Sequence, residues 1–433
     1  MSPGMERTPS FHLSRRAAQA GLALMTLLNF VNYIDRVVLM AVLPRIKAEL
    51  ALSDAQLGLL GSAFMVVYFL TSPIFGRLGD RLSRTRLIAA GVTVWSVATA
   101  LAGVARNVGQ LVAARATVGI GEASYATISP SLISDYFPLA SRGRVFAIFY
   151  VAIPVGSAAG YVLGGLLERQ FGWRAAFFAV GLPGLLLALL ALAAPDPPRG
   201  LFEEEKQQGS ASTFAESLRL LAANRVYVLT VLGYAAYTFA LGGLSYWIPS
   251  YLSRVRGMDL TSANLRIGML TVVAGLIGTF AGGYLGDVLA RRVRQAYLWV
   301  SGVSMLVGIP FAWVALTAET PVVYLSAFFA GEVLLFLSTG PINVVIVSVV
   351  PVTMRATAMA VSIFGIHLFG DAVSPWAIGE IADLSSLARA VLIVPLMIAV
   401  SGLIWAGTAW QATKHEARVA SQGPEARDQG PAR

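Results

Sequence analysis

The stretch Gly76-Arg77-Leu78-Gly79-Asp80-Arg81-Leu82-Ser83-Arg84 recurs in the second half of the chain as Gly283-Tyr284-Leu285-Gly286-Asp287-Val288-Leu289-Ala290-Arg291-Arg292. The two aspartates lie 207 positions apart (287 − 80). Further landmarks recur in the same order at nearly the same spacing: Gly121-Glu122 as Gly331-Glu332, Pro138 as Pro351, and Arg142 as Arg355. This order indicates an internal duplication, so the chain consists of two related halves.

Long apolar segments fill both halves. Of 433 residues, 56% are hydrophobic and 13% are charged, whereas soluble domains carry about 25% charged residues. A membrane helix needs about 20 apolar residues, and the apolar residues here run continuously instead of alternating as in a transmembrane barrel. The sequence predicts twelve spans, at 17–43, 55–79, 84–105, 109–136, 141–167, 173–194, 224–252, 264–289, 294–317, 321–349, 355–381 and 388–411.

The predicted fold is an all-α polytopic membrane protein with two six-helix bundles. Six spans separate the repeated motifs, so both halves share one orientation and are related by pseudo-two-fold symmetry about an axis along the membrane normal. The predicted divisions are a cytoplasmic N-terminal segment (1–16), an N-terminal bundle (17–194), a cytoplasmic linker (195–223), a C-terminal bundle (224–411) and a disordered cytoplasmic tail (412–433).

Charge and composition exclude several classes of function. About two thirds of the 32 lysines and arginines fall on the side that this topology places in the cytoplasm, in agreement with the positive-inside rule. Topology therefore explains the net charge of +9 better than nucleic-acid binding does, and both termini are expected in the cytoplasm, at a bacterial-type plasma (inner) membrane. Three scattered histidines and no cysteine predict no metal site, and no cofactor is expected. Without a Gly-Lys-Ser/Thr phosphate loop or a nucleophile–base pair, neither an ATP-driven pump nor an enzyme is predicted.

Asp35 and Arg36 lie side by side in the first span, at the end of Asn29-Phe30-Val31-Asn32-Tyr33-Ile34-Asp35-Arg36. Each charge costs roughly 2.5–3.5 kcal/mol to insert at membrane depth, so an intramembrane pair is a functional-site hypothesis by default. Neighbours on a helix point about 100° apart, so each is expected to have its own partner elsewhere. We interpret Arg36 as the holder of an anionic substrate group and Asp35 as a proton-titratable or orienting carboxylate. A structural salt bridge is the alternative.

Twelve spans, a central linker and the loop motif Gly76–Arg84 together resemble the major facilitator superfamily over roughly residues 15–411, although Ser83 stands where that family usually has glycine. Three further motifs look like the Spinster family: Asn32-Tyr33-Ile34-Asp35-Arg36, Gly119-Ile120-Gly121-Glu122-Ala123 and Gly370-Asp371-Ala372-Val373-Ser374-Pro375. The resemblance implies proton-linked export of lysophospholipids or sphingosine-1-phosphate, as in animal members. It also points to Glu122 as a proton-coupling residue.

Other ionisable residues inside the spans are candidates for proton coupling. Arg115 and Glu122 lie seven residues apart on one face of the fourth span. We expect Glu122 to load and release a proton, and the alternative is a fixed partner for an arginine. Glu332 is the repeat-mate of Glu122. His367 and Asp371 lie four residues apart on the eleventh span, where they can hydrogen-bond, and all three join Glu122 as candidates.

The remaining assignments concern the substrate, the gate and the packing. Four aromatic residues are expected to join Arg36 and Arg115 in binding the substrate: Tyr33, Phe64, Tyr68 and Tyr125. Loop charges are expected to form a cytoplasmic gate that latches the two halves in the outward-facing state: Asp80, Arg84, Arg142, Asp287, Arg291 and Arg355. The alternative is that these charges only set the topology. Small residues four apart in the fifth span are predicted to let helices approach closely: Gly156, Gly160 and Gly164.

These features together predict a monomeric secondary transporter that works by alternating access, with two bundles rocking about a central site. Its expected partners are protons, membrane lipids and an amphipathic lysolipid- or sphingolipid-like substrate. The head group would lie at Arg36 and the tail along aromatic walls. One alternative is a proton/drug antiporter, which the two arginines inside the spans count against. Another is a symporter for a small organic anion, which the arginines allow.

Overall fold

The structure is a computed structural model that describes residues 13–202, 214–351 and 354–421. The long elements in these ranges are all helical. They are α1 (Arg15–Leu50), α2 (Asp54–Arg81), α3 (Arg84–Ala102), α4 (Val108–Tyr136), α5 (Leu139–Phe171), α6 (Trp173–Leu192), α7 (Phe214–Ala223), α8 (Arg225–Arg254), α9 (Leu260–Ala290), α10 (Ala296–Thr317), α11 (Pro321–Phe336), α12 (Thr339–Ser348), α13 (Arg355–Ile366), a π-helix (His367–Asp371), α14 (Ser374–Leu384), α15 (Leu387–Ala390) and α16 (Ile393–Ser421).

Eleven helical segments in the described ranges are long and apolar enough to cross a membrane. The remaining predicted span corresponds to α4, which has 29 residues but is less apolar because it carries Arg115 and Glu122. The tenth span consists of α11 and α12, and the eleventh runs through α13, the π-helix and α14. The prediction of an all-α polytopic membrane protein is confirmed.

The segments outside the spans contain more helix than the sequence suggests. α7 lies within the predicted linker, and its Leu221 is buried in a cluster with Tyr227 and Ile346. The last helix extends to Ser421, so the tail that was expected to be disordered from 412 onward is helical as far as that residue. The rest of the tail and the acidic part of the linker lie outside the described residues.

The chain forms two compact units that nearly follow its two halves. Unit 1 comprises the chain up to Leu52 together with Leu59–Gln208 and Met258–Gly268. Unit 2 comprises Ser53–Gly58, Gly209–Gly257 and the chain from Met269 onward. The start of α2 therefore belongs to unit 2 and the start of α9 belongs to unit 1, an exchange that a division at the linker does not predict.

Within unit 1, α5 packs directly along α1 through glycines four residues apart. A Cβ at Gly156 would lie 2.6 Å from the carbonyl oxygen of Phe30, and one at Gly160 would lie 2.9 Å from that of Ile34. Gly164 continues the row, so the prediction that these small residues allow close helix packing is confirmed. The row fixes the rotation of α1 and hence the directions in which its charged residues point.

Within unit 2, α8 packs against α16 and the π-helix. The indole N–H of Trp405 donates to the carbonyl of Thr230 at 3.0 Å, and Gly233 leaves room for the ring, since a Cβ there would lie 2.4 Å from the indole nitrogen. The hydroxyl of Thr238 donates to the carbonyl of Ile366 at 2.9 Å. α8 therefore supports the backbone at the point where the eleventh span departs from α-helical geometry.

Candidate functional site

Four charged side chains join α1 and α4 inside unit 1. Arg36 Nε donates to Glu122 Oε2 at 2.6 Å, and Arg115 Nη1 lies 3.4 Å from Asp35 Oδ1. Each helix contributes one charge of each sign, so the cluster carries no net charge when all four groups are ionised. The expectation that Asp35 and Arg36 have separate partners is confirmed.

Two further polar side chains lie beside the carboxylates. Thr99 Oγ1 donates to Asp35 Oδ2 at 2.5 Å, whereas Glu122 Oε1 and both polar atoms of the Asn32 side chain are buried without a hydrogen-bond partner among the described residues. Sequence reasoning missed both as site residues. Asn32 lies one turn before Arg36 in the stretch from Asn29 to Arg36, so its polarity inside a span was an available signal. Thr99 gave no signal, because threonine is common in spans and only the packing of α3 shows what it faces.

Aromatic rings surround the arginines. The guanidinium carbon of Arg36 lies 5.1 Å from the ring centre of Tyr33, 5.1 Å from that of Phe64 and 4.8 Å from that of Tyr68. Arg115 lies 4.9 Å from the ring of Phe64. Such cation–π contacts contribute about 0.5–2 kcal/mol each, depending on desolvation. The structure thus brings five of the six predicted substrate-binding residues into one aromatic cage.

Arg36 is the most accessible member of the charged cluster. Its side chain is 17% exposed and that of its partner Glu122 is fully buried. The side chains of Arg115 and Asp35 are 3% and 1% exposed. A ligand that approaches this cluster therefore meets Arg36 first.

The sixth predicted substrate residue, Tyr125, has the contacts of a core residue. Its ring packs edge-on against Trp95 with ring centres 5.6 Å apart. Its hydroxyl donates to the carbonyl of Met25 at 2.5 Å, and the residue is 1% exposed. These contacts tie α4 to α3 and α1, and they leave no face of the ring for a substrate.

Glu332 occupies the position in unit 2 that its repeat-mate Glu122 occupies in unit 1, but its surroundings differ. Its Oε1 accepts a hydrogen bond from Thr271 at 2.9 Å, and Oε2 is buried without a partner among the described residues. A cavity of about 10 Å³ beside it has mainly apolar walls, from residues such as Leu244 and Phe328. No arginine or lysine of the described chain pairs with this carboxyl group.

His367 and Asp371 form a contact within the π-helix. His367 Nδ1 lies 2.9 Å from Asp371 Oδ1 and 3.1 Å from Oδ2, which confirms the expected hydrogen bond. Both side chains remain about one quarter exposed (26% and 24%). Short π-helical segments inside α-helices occur frequently at functional sites. Asp371 also packs on α8, since a Cβ at Gly242 would lie 2.5 Å from the Asp371 Cβ.

Arg84 does not have the contacts expected of a gate residue. It is 1% exposed and forms an ion pair with Asp135. Its Nε donates to Asp196 at 3.0 Å, and Nη2 donates to the carbonyl of Pro197 at 2.5 Å. All these residues belong to unit 1, so Arg84 anchors the start of the linker to α3 and α4. The sequence could not show this, because the two carboxylates that hold Arg84 are remote in the chain.

The other gate candidates make few described contacts. Asp287 accepts a hydrogen bond from the hydroxyl of Tyr297 at 2.9 Å, and Asp80 and Arg291 are exposed. Arg142 lies in the first turn of α5 and Arg355 begins α13, but their side chains lie outside the described part of the chain. The gate therefore stays a prediction for these five residues.

Unit 2 contains a charged contact that sequence reasoning missed. Arg254, at the end of α8, donates two hydrogen bonds to the carboxylate of Asp54, at 2.6 and 2.8 Å. The carboxylate of Asp383 in turn accepts the backbone N–H groups of Asp54 and Ala55, both at 2.8 Å. Asp383 thereby caps the N-terminus of α2, although it lies 329 positions from Asp54 in the chain.

An apolar groove lies near the arginine cage in unit 1. It encloses about 670 Å³ between α1 and α5, and its walls include Leu22, Phe30, Ile148 and Val155. Phe30 precedes Arg36 by six residues, which is about 9 Å along a helix. The unit therefore combines an accessible cation with an adjacent apolar groove.

Comparison with known proteins agrees with this arrangement. Residues 25–375 match the family described as the Major Facilitator Superfamily. The chain is 35% identical over 399 residues to protein spinster homolog 3 of Danio rerio, covering 88% of this chain and 80% of that protein. It is 33% identical over 426 residues to the sphingosine-1-phosphate transporter of Xenopus tropicalis, covering 91% and 82%. Its fold matches the crystal structure of a bacterial homologue of the human lysosomal transporter Spinster in an inward-facing and unoccupied conformation. The TM-score is 0.85 at 24% sequence identity, and the match covers 93% of this chain and 99% of that one.

Proposed function

The chain belongs to the major facilitator superfamily and, within it, to the Spinster transporters, and from this membership we propose that it moves an amphipathic anion across the membrane together with a proton. The superfamily is a class of transporters rather than of enzymes, in agreement with the sequence. The proposed substrate is lysolipid- or sphingolipid-like, because one relative is named a sphingosine-1-phosphate transporter. The observation that carries the proposal is the Arg36–Glu122 pair inside its aromatic cage.

The proposed coupling follows from competition for one guanidinium. Glu122 and an anionic head group both require Arg36, and a proton on Glu122 removes its negative charge. Protonation therefore strengthens head-group binding and, by thermodynamic reciprocity, head-group binding favours protonation. Such mutual support suits movement of proton and substrate in the same direction.

The apolar groove between α1 and α5 supports a substrate with a tail. A head group at Arg36 would lie about 9 Å along the axis of α1 from Phe30, which lines the groove. A small organic anion would not use this groove. A cationic drug would find both carboxylates of the cluster already paired with arginines, which counts against a drug antiporter.

Three residues of unit 2 are proposed as further proton-binding groups. Glu332 is buried with a hydroxyl partner, so a proton would neutralise it without an arginine. His367 and Asp371 are partly exposed and share a hydrogen bond, so they can exchange a proton with water. Their different exposure suggests that protons enter at His367 and Asp371 before any reach Glu332.

Alternating access is proposed to involve the Asp54–Arg254 ion pair of unit 2, which the predicted topology places on the outer side of the membrane. Because α2 begins in unit 2 and continues in unit 1, breaking the Asp54–Arg254 pair would release the start of this helix. We propose that the pair forms and breaks during each transport cycle. The positive-inside distribution supports cytoplasmic termini at a bacterial-type inner membrane.

Reconstituted full-length protein tests this proposal. Proteoliposomes receive a labelled panel of sphingosine-1-phosphate, lysophospholipids and a small sugar acid, with and without a pH gradient. We expect lysolipid uptake that the gradient accelerates, and loss of that acceleration in Glu122→Gln. Glu319→Gln makes the same chemical change at an exposed position and is expected to behave as wild type. Uptake of the sugar acid without lysolipid uptake would replace the lipid assignment.

A further inference from the structure

A second apolar groove, the α9–α10 groove, lies in unit 2. It encloses about 530 Å³ between α9, α10 and the end of α11. α10 packs on α11 and α16, and it contacts α9 at Tyr297, whose hydroxyl donates to Asp287 at 2.9 Å. Four of its wall residues are 41% to 46% exposed: Leu285, Val288, Val303 and Val307. In a membrane such a surface faces acyl chains rather than water.

Two hydrogen-bond donors lie at one end of the α9–α10 groove. Arg292 follows the end of α9, is exposed, and makes no ion pair with any described residue. Trp299 lies in the first turns of α10, and its indole N–H finds no acceptor in the described chain. Tryptophan prefers the membrane–water interface, where its ring is apolar and its N–H meets head groups.

The length of the α9–α10 groove fits one leaflet. Trp299 and Val307 are both wall residues, and the eight positions that separate them correspond to about 12 Å along α10. Half of a typical hydrocarbon core is about 15 Å. Leu334 and Leu337, near the end of α11, are also wall residues, and Leu334 lies beside Gly308, the neighbour of Val307. The groove therefore runs from the interface to about mid-membrane.

We propose that the α9–α10 groove binds one anionic phospholipid, with its phosphate at Arg292 and Trp299 and one acyl chain along Val303 and Val307. Basic pockets between membrane helices are a recognised form of anionic-lipid site, and here the guanidinium of Arg292, which forms no ion pair within the described part of the chain, supplies the charge complementarity. In the orientation proposed above, the lipid belongs to the cytoplasmic leaflet. This site is separate from the charged cluster of unit 1 and goes beyond the transport proposal, since it holds a resident lipid rather than cargo.

Native mass spectrometry of the delipidated full-length protein tests the site. The probes are phosphatidylglycerol and phosphatidylcholine with identical chains. Arg292→Gln is expected to weaken phosphatidylglycerol binding about fivefold, the effect of one basic residue near an anionic surface, and to leave phosphatidylcholine unchanged. Arg86→Gln removes the same charge from an exposed position on α3 and is expected to bind both lipids as wild type does.

A second variant tests the groove itself. Val303→Trp fills the space for the chain and is expected to reduce binding of both lipids, whereas Arg292→Gln, at an exposed position, keeps the fold intact. Unchanged phosphatidylglycerol binding in Arg292→Gln, or an equal loss in Arg86→Gln, would overturn the head-group assignment. Wild-type dimers that Val303→Trp abolishes without changing lipid binding would assign the groove to a second copy of the chain. No outcome depends on transport, so the two proposals fail separately.

Discussion

Replacing Glu122 by glutamine separates the two partners that compete for Arg36. The bond between Arg36 Nε and Glu122 Oε2 is 2.6 Å long, and a hydrogen bond to a charged group contributes about 1.5–3 kcal/mol. A substrate that has to displace this carboxylate is therefore expected to bind about 10- to 100-fold more tightly to Glu122→Gln. Its affinity is also expected to lose its dependence on pH, because the competing group no longer titrates.

Glu122→Gln is also expected to fold, because Arg36 keeps favourable contacts without the carboxylate. The arginine that it leaves behind is 17% exposed and faces three aromatic rings within 5.1 Å. The opposite truncation, Arg36→Ala, leaves a fully buried carboxylate without its partner, at a cost of about 3–5 kcal/mol. Glu122→Gln therefore reports on binding, whereas Arg36→Ala mixes binding with stability.

The assay is equilibrium binding of a fluorescent lysolipid to purified protein between about pH 3.5 and 8, a range that brackets the ordinary pKa values of glutamate and histidine. Wild type is expected to bind more tightly as the pH falls, and Glu122→Gln to bind equally at all pH values. Glu332→Gln serves as the matched control, because it alters the equivalent residue of the other half. A Glu122→Gln protein with the pH profile of wild type would refute competition at Arg36.

Three further predictions concern packing, the linker anchor and the outer ion pair. Gly160→Leu is expected to lower stability by about 1–3 kcal/mol through overpacking, as measured by thermal unfolding. The control Gly283→Leu is expected to be tolerated, because a Cβ at that position would meet nothing within 4 Å. Arg84→Ala leaves two carboxylates uncompensated and is expected to lower the free energy of unfolding by about 3–5 kcal/mol. The exposed control Arg86→Ala is expected to change it little. Equal unfolding temperatures for the two variants would contradict the role of Arg84 as an anchor. Asp54→Asn breaks a bidentate pair and is expected to raise the thiol reactivity of a single cysteine introduced one turn later in α2. The absence of native cysteine makes that readout specific, and unchanged reactivity would contradict a cycling outer contact.

The helices were predictable because a span must be long and apolar, whatever it packs against. α4 shows the limit of that rule, since Arg115 and Glu122 make it less apolar, yet the same residues identify it as part of the site. The row containing Gly160 was predictable because small residues at helical spacing have one common use in membranes. The rule for helices therefore works best where local composition alone decides the structure.

Partner choice was much less predictable. Asp35 and Arg36 were expected to have separate partners because adjacent helical residues point apart, but Thr99 could only be found by folding α3 against α1. Arg84 illustrates the same limit. Its loop motif suggested a gate, while two distant carboxylates bury it inside unit 1. A motif fixes which charges are present, whereas the tertiary fold decides what they neutralise.

The duplication makes the difference between the halves informative. Glu122 and Glu332 descend from one position, but one pairs with an arginine and the other with a threonine. An isolated buried carboxylate charge is costly, and Glu332 has no arginine partner among the described residues to offset that cost as Arg36 does for Glu122. Only the first arrangement makes proton binding and anion binding depend on each other. Under the proposed mechanism, the asymmetry of the repeat favours substrate coupling at Glu122, whereas Glu332 would bind a proton without responding directly to the head group.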